Sequence, residues 1–172
     1  MSISIKTARE IEKMRRAGEL LEKVHDELGR AIHPGMSTWE INKLGEEMIR
    51  SFGCTPNFLN YNGYPASICV SVNEEVVHGI PSKKRILKEG DIVSLDAGLI
   101  YKGYHSDAAR THAVGQISEE DQFLIDVTKQ SFFGVRDFDG LEHGLEDAAG
   151  GGLGLPGVSL FQSFAHIRRQ VA

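Results

Sequence analysis

Two aspartates, Asp96 and Asp107, interrupt runs of otherwise small and apolar residues, IVSLDAG and HSDAART, where a solvated charge has no structural reason to be. The longer runs IVSLDAGLI and YHSDAARTHAV are separated by Tyr101-Lys102-Gly103, a turn signal, and read as the two arms of a β-hairpin. A turn centred between Tyr101 and Lys102 sets the aspartates directly opposite each other on one face, with Cβ atoms about 4.5 to 5.5 Å apart. Two ionised carboxylates at that separation repel, and a divalent cation between them removes the repulsion. Carboxylates suit hard or borderline metals, and a shared one can bridge two ions about 3.5 to 4 Å apart, the spacing of two-metal hydrolysis. Geometry alone leaves a second reading open, in which a one-residue slip or a bulge turns each aspartate to solvent or toward Lys102 or Arg110.

The other candidate groups are weaker when taken singly. His78, in VVHGIP, reads by itself as an ordinary turn or partly buried histidine, and Phe58, Tyr61, Tyr64 and Cys69 read as core. His25 and His33, in and after the first helix, are expected to be exposed. His105 and His112 lie on the strand of Asp107, and His105, two residues before it, shares its face if the strand is regular; it is read as a bystander rather than a ligand.

These groups need elements to hold them. Thr7 and Glu10 have the spacing of a capping box, and Ile11, Met14, Leu21, Val24 and Leu28 follow as the apolar stripe of a long helix that should stop at His33-Pro34-Gly35. Ser37 and Glu40 repeat the box, Ile41, Leu44, Met48 and Phe52 mark a second buried stripe, and Gly53 closes that helix. The segment PNFLNYNGYP is rich in turn formers and aromatics, ASICVSVN reads as a short strand, and a further short strand is expected at Val76 and Val77. Ser118-Glu119-Glu120-Asp121 opens a third helix through about Phe133, its acids at the positive end of the dipole.

At 172 residues with 41% apolar composition, one domain with an ordinary core is the default. With 19 basic against 24 acidic residues and a net charge of -5, no general basic field exists for nucleic acid or an anionic membrane, and neither is expected as a direct partner. Two cysteines without CxxC spacing exclude a disulfide framework and suit a reducing cytoplasm. No apolar run approaches the roughly 20 residues of a membrane helix.

Taken in order, KTAREIEKMRRAG, FLNYNGYPASICVSVNEEVVHGIPS and LKEGDIVSLDAGLIYKGYHSDAARTHAVG resemble the methionine aminopeptidases, specifically the bacterial type I enzymes, over residues 1 to about 133. The resemblance implies an α+β fold, the first half of the pita-bread (creatinase/aminopeptidase) architecture, an antiparallel sheet covered by helices. It implies two divalent metal ions, of cobalt, manganese, iron, zinc or nickel, with Asp96 and Asp107 as two of five ligands and Asp107 bridging. His78 is then the histidine that hydrogen-bonds the substrate near the scissile peptide, and Phe58, Tyr61, Tyr64 and Cys69 border a pocket for the methionine side chain. The implied reaction is removal of N-terminal methionine from nascent chains by a cytoplasmic, monomeric enzyme, with the ribosome as a further partner. A prolidase or creatinase-like hydrolase of the same fold is disfavoured by the short N-terminal segment, and a non-catalytic binding protein of this fold by the paired aspartates.

The remaining ligands that the resemblance implies, one histidine and two glutamates, have no recognisable counterpart. Residues 134–172 depart from the family: eight of the 24 residues from Gly134 to Gly157 are glycine, and a poorly ordered tail is expected. Glu142, His143 and Glu146 offer ligand atoms without a strand pattern, and Leu160, Phe164 and Ile167 share one face of a short helix. A chain truncated or shifted in frame near Phe133, with little or no activity alone, is the expectation that follows.

Overall fold

The computed structural model of the chain describes residues 5–136. They fall into two compact units that divide after Gln116. In the first, helix α1 (Ala8–Ala31) starts at the expected capping box: Thr7 accepts from the Glu10 amide at 3.4 Å, and the Glu10 carboxylate takes the Thr7 amide and hydroxyl, both at 2.8 Å. Its buried stripe begins only at Ala17 and runs through Leu20, Leu21, Val24, His25 and Leu28. Ile11 and Met14, expected on that stripe, are 47% and 42% exposed, because they precede the point where the helix meets the core. Helix α2 (Thr38–Ser51) repeats the box with Ser37 and Glu40 and buries Ile41 and Ile49.

Four antiparallel strands form the sheet: β1 (Thr55–Pro56), β2 (Ile68–Val72), β3 (Ile92–Tyr101) and β4 (Tyr104–Ala113). The central strand β3 pairs with β4 along its whole length on one side, and with β2 and then β1 on the other. Alternation sorts its residues. Ile68, Val70, Val72, Val93, Leu95, Ala97 and Leu99 form a buried face that packs with the apolar faces of α1 and α2. Each of the larger side chains contributes about 1.5 to 3 kcal/mol by leaving water. Cys69, Ser71, Ser94, Asp96, Gly98, Asp107 and Thr111 project to the other face. The buried Asn42 of α2 ties the layers together, its side-chain oxygen accepting the amides of Ser67 at 2.8 Å and Ile68 at 3.0 Å.

Three local expectations give way. No strand contains Val76 and Val77, which are 38% and 39% exposed on a loop. The chain turns off β2 because Asn73 adopts a left-handed φ of 54° and the Glu75 carboxylate takes the Val72 amide at 2.7 Å. The hairpin turn is Lys102-Gly103, with φ of 48° and 83°, the double left-handed conformation that matches strand twist; its centre lies one residue later than the sequence suggested. His25 is fully buried rather than exposed, with Nε2 2.9 Å from the Ala108 carbonyl.

The second unit contributes α3 (Glu119–Arg136), which runs three residues past Phe133 and is capped by Ser118, whose hydroxyl accepts the Asp121 amide at 3.1 Å. No helix among the described residues is long and apolar enough to cross a membrane. The glycine-rich tail, with Glu142, His143, Glu146 and the helix expected near Leu160, lies outside the described residues.

Candidate metal centre

The hairpin brings Asp96 and Asp107 onto one face, though not directly opposite. Asp96 pairs with Ala109 and Asp107 with Gly98, so the two aspartates are diagonal neighbours, offset by two residues. The later turn centre is the cause: moving it by one residue moves every cross-strand partner by two and leaves the face unchanged. Diagonal neighbours are separated by about 7 to 8 Å between backbones, with side-chain atoms closer.

Their electrostatics reveal the proximity. Burial, then the charge and hydrogen-bonding contact of Asp107, push the Asp96 carboxyl up to about 7. Asp107 is exposed at the surface, yet partial desolvation by its surroundings also raises its carboxyl, while contact with Asp96 opposes the rise. The Oδ1 atom of Asp96 is buried without a hydrogen-bond partner. A buried oxygen lacking a donor, facing a second carboxylate, is costly as it stands and suited to a cation. The pair therefore fits a divalent metal as an oxygen-donor half-site. Among the described residues no group of three or more His, Cys, Asp or Glu side chains converges on one point, so these two carboxylates alone leave most coordination positions open.

Around this pair the expected pocket residues divide. Cys69 stands opposite Asp96 on β2. Its thiol is pushed up to about 11 by burial, with the two aspartates adding to the rise and Tyr64 opposing it. The Tyr64 phenol is raised mainly by burial and then by contact with Cys69, and it donates to the carbonyls of Gly79 at 3.0 Å and Ile68 at 3.3 Å. Tyr64, Cys69 and Asp96 are thus brought together. Phe58 arrives from the β1–β2 loop because Gly98 has no side chain: a Cβ there would sit 2.8 Å from the Cβ of Asn57 and 3.0 Å from the Phe58 ring. Tyr61, 69% exposed on a short 3-10 turn at Tyr61–Gly63, is not drawn in.

His78 is exposed on the loop after β2, with a left-handed φ of 56°. What fixes it is its neighbour. Gly79 donates to Ser71 Oγ at 3.1 Å and accepts the Val70 amide at 2.9 Å, so close to β2 that an added Cβ would lie 2.2 Å from the Val70 carbonyl oxygen. Ser71 projects from the same face as Cys69 and Asp96, which ties the His78 loop to the rim of that face. Ser71, Gly79 and Gly98 carry no chemical signal in the sequence; only the HGIP turn hinted at the second. His105 shares the face of Asp107 as its spacing implied, and its Nδ1 is 2.6 Å from Asn57 Oδ1.

Known proteins are similar to this chain in sequence and in fold. The chain is 53% identical to the methionine aminopeptidase of Clostridium acetobutylicum over 131 residues, 76% of this chain and 52% of that protein. Its structure is similar to that of methionine aminopeptidase from Rickettsia prowazekii, with a TM-score of 0.74 at 38% identity, covering 77% of this chain and 53% of that one. It is also similar to a Xaa-Pro dipeptidase from Bacillus anthracis, with a TM-score of 0.63 at 30% identity over 73% of this chain and 34% of that one. The antiparallel sheet under two helices is the first half of the pita-bread architecture, and the chain spans about half the length of the relatives it matches. The model of metallopeptidase family M24 fits residues 12–135, from the first helix to the last, and the chain belongs to that family.

Proposed function

We propose that this chain supplies one side of a methionine aminopeptidase site, and that the hydrolysis it serves is removal of methionine from the amino terminus of nascent proteins in the cytoplasm. The observation that carries this reading is the convergence of Asp96 and Asp107 beside Cys69, with a buried carboxylate oxygen that lacks a donor. Identity of 53% to the Clostridium acetobutylicum methionine aminopeptidase, against 30% to the Xaa-Pro dipeptidase, supports the substrate class.

Two divalent ions, when bound, supply Lewis-acid polarisation of the scissile carbonyl and activation of water. The chain's own residues have separate tasks. Asp96 and Asp107 hold positive charge at the open face and neutralise it. His78, presented by the clipped loop, donates or accepts a hydrogen bond at the substrate peptide, where charge develops during attack. Phe58, Tyr64 and Cys69 offer an aromatic and polarizable wall to a thioether side chain, and Tyr61 stands outside it. One histidine and two glutamates are still required as ligands, so this chain alone turns over slowly or not at all.

A chimera tests the reading: residues 1–133 joined to the second half of the Clostridium acetobutylicum relative, assayed on a methionyl peptide with added metal. Turnover that falls at least about a hundredfold in Asp107→Asn supports it. A folded chimera without turnover, or turnover that survives Asp107→Asn, contradicts it.

A further inference from the structure

Asn57 and His105 lie on opposite flanks of the central strand, yet their side chains meet. Asn57 follows β1 directly, and its amide donates to the Gly98 carbonyl at 2.9 Å. His105, on β4, pairs with Ile100, two residues beyond Gly98. Neighbouring strands lie about 4.8 Å apart, so a contact between the two flanks of β3 spans about twice that distance. Gly98 leaves the space in which the side chains cross. His105 Nδ1 is 2.6 Å from Asn57 Oδ1, and because an amide oxygen only accepts, that ring nitrogen is the donor. A side chain at position 98 would occupy the crossing, its Cβ 2.8 Å from the Cβ of Asn57 and 3.0 Å from its Nδ2.

The crossing lies beside the candidate site. Gly98 pairs with Asp107, and a Cβ at position 98 would also stand 3.0 Å from the Phe58 ring. Asn57 and Phe58 therefore share the space above Gly98, and where one settles limits the other. His105 is exposed and shares the face of Asp107, so packing does not account for where its ring points. The hydrogen bond to Asn57 does. We propose that the Asn57–His105 hydrogen bond is a brace across the central strand that holds the Phe58 wall in place beside Asp107, making Asn57 and His105 positioning residues of the site. The inference rests on the reading of Asp96 and Asp107 as the metal side of that site. His105 touches neither metal nor substrate in this role. Without the brace Asn57 is free to turn about its side-chain bonds and the Phe58 ring spreads over a range of positions. Asp96 and Asp107 keep theirs, because the β3–β4 register fixes them. Groups set behind a site commonly hold its contacting residues in this way.

The test uses the full chain with para-fluorophenylalanine in place of Phe58, and reads its fluorine resonance without metal and with manganese, which broadens nearby nuclei steeply with proximity. The parent chain should give one sharp resonance that manganese broadens. His105→Ala should shift and broaden that resonance in the metal-free chain and weaken the effect of manganese, while the manganese dissociation constant changes less than about twofold. Asn57→Ala should do the same, and the double variant should add nothing further. His105→Gln, which can still donate to Asn57, should restore the parent resonance, and His105→Leu, which has no donor, should not. His33→Ala removes another exposed histidine, one that contacts the Pro34 carbonyl, and should change nothing. An unchanged resonance in His105→Ala, or the same resonance in the Gln and Leu variants, overturns the proposal. So does a loss of manganese affinity of about tenfold or more in His105→Ala, since His105 would then be a ligand rather than a brace. If manganese fails to bind the parent chain, the metal reading falls, and the metal-free resonance still decides the brace.

Discussion

Asp96 and Asp107 are diagonal neighbours on adjacent strands, with Asp96 across from Ala109 and Asp107 across from Gly98. The offset matters because the carboxylates can approach one ion or a pair of ions from two directions without their Cβ atoms in contact. It also leaves the space over Gly98 for Asn57 and Phe58, which a side chain there would fill.

A buried, unpartnered carboxylate beside a second one is a liability in the metal-free chain. Asp96→Asn should therefore stabilise that chain by about 1 to 2 kcal/mol near neutral pH while weakening its affinity for divalent ions. Urea unfolding in the presence of a chelator reads the first effect, and a loss of stability there would contradict it.

Gly79→Ala should destabilise the chain by about 2 to 4 kcal/mol, since the new Cβ would lie 2.2 Å from the Val70 carbonyl oxygen and that backbone cannot yield cheaply. The His78 resonances should move with it. A change below about 0.5 kcal/mol in denaturant unfolding would mean that the loop is not clipped to β2 as described.

Asn42→Ala removes the acceptor of two buried amides, those of Ser67 and Ile68. Leaving both without a partner should cost about 2 to 4 kcal/mol, where an exposed asparagine would cost almost nothing. Thermal unfolding of the variant checks this directly.

His25 gives the fold an acid limit. Burial pulls its pKa from 6.5 down to about 4, against the partial support of the Ala108 carbonyl. A base whose folded pKa is depressed contributes fully above its unfolded pKa; as pH falls from about 6.5 toward 4 the unfolded chain binds the proton first, and stability is lost. Across that window the loss attributable to His25 is on the order of 3 kcal/mol. His25→Gln should flatten the dependence; an unchanged pH profile would rule out the assignment.

These residues show what the sequence could express. Both capping boxes, Thr7 with Glu10 and Ser37 with Glu40, are local patterns and could be read with the correct helix starts. The hairpin and the shared face of its aspartates were legible because a period of two survives any even shift in register. The register itself was not, since it depends on whether Tyr101-Lys102 or Lys102-Gly103 takes the left-handed conformations, and only glycine signals that. Val76 and Val77 have strand-forming side chains, but Asn73 and Glu75 turn the chain before them, which composition cannot convey. His25 looked exposed because a polar residue in a helix usually is. Its position one residue after Val24 puts it at the edge of the buried stripe, where the Ala108 carbonyl meets it. The links that hold His78 and Phe58, through Gly79 and Gly98, are long-range close approaches between backbone and neighbour, and no local pattern records them.

Calorimetric titration of the purified chain with manganese, beside Asp96→Asn and Asp107→Asn, tests the central claim most directly. The account predicts weak binding, with a dissociation constant well above that expected of a complete five-ligand site, and its loss in each variant. Binding that persists undiminished in both variants would contradict the assignment of Asp96 and Asp107 as the metal half-site.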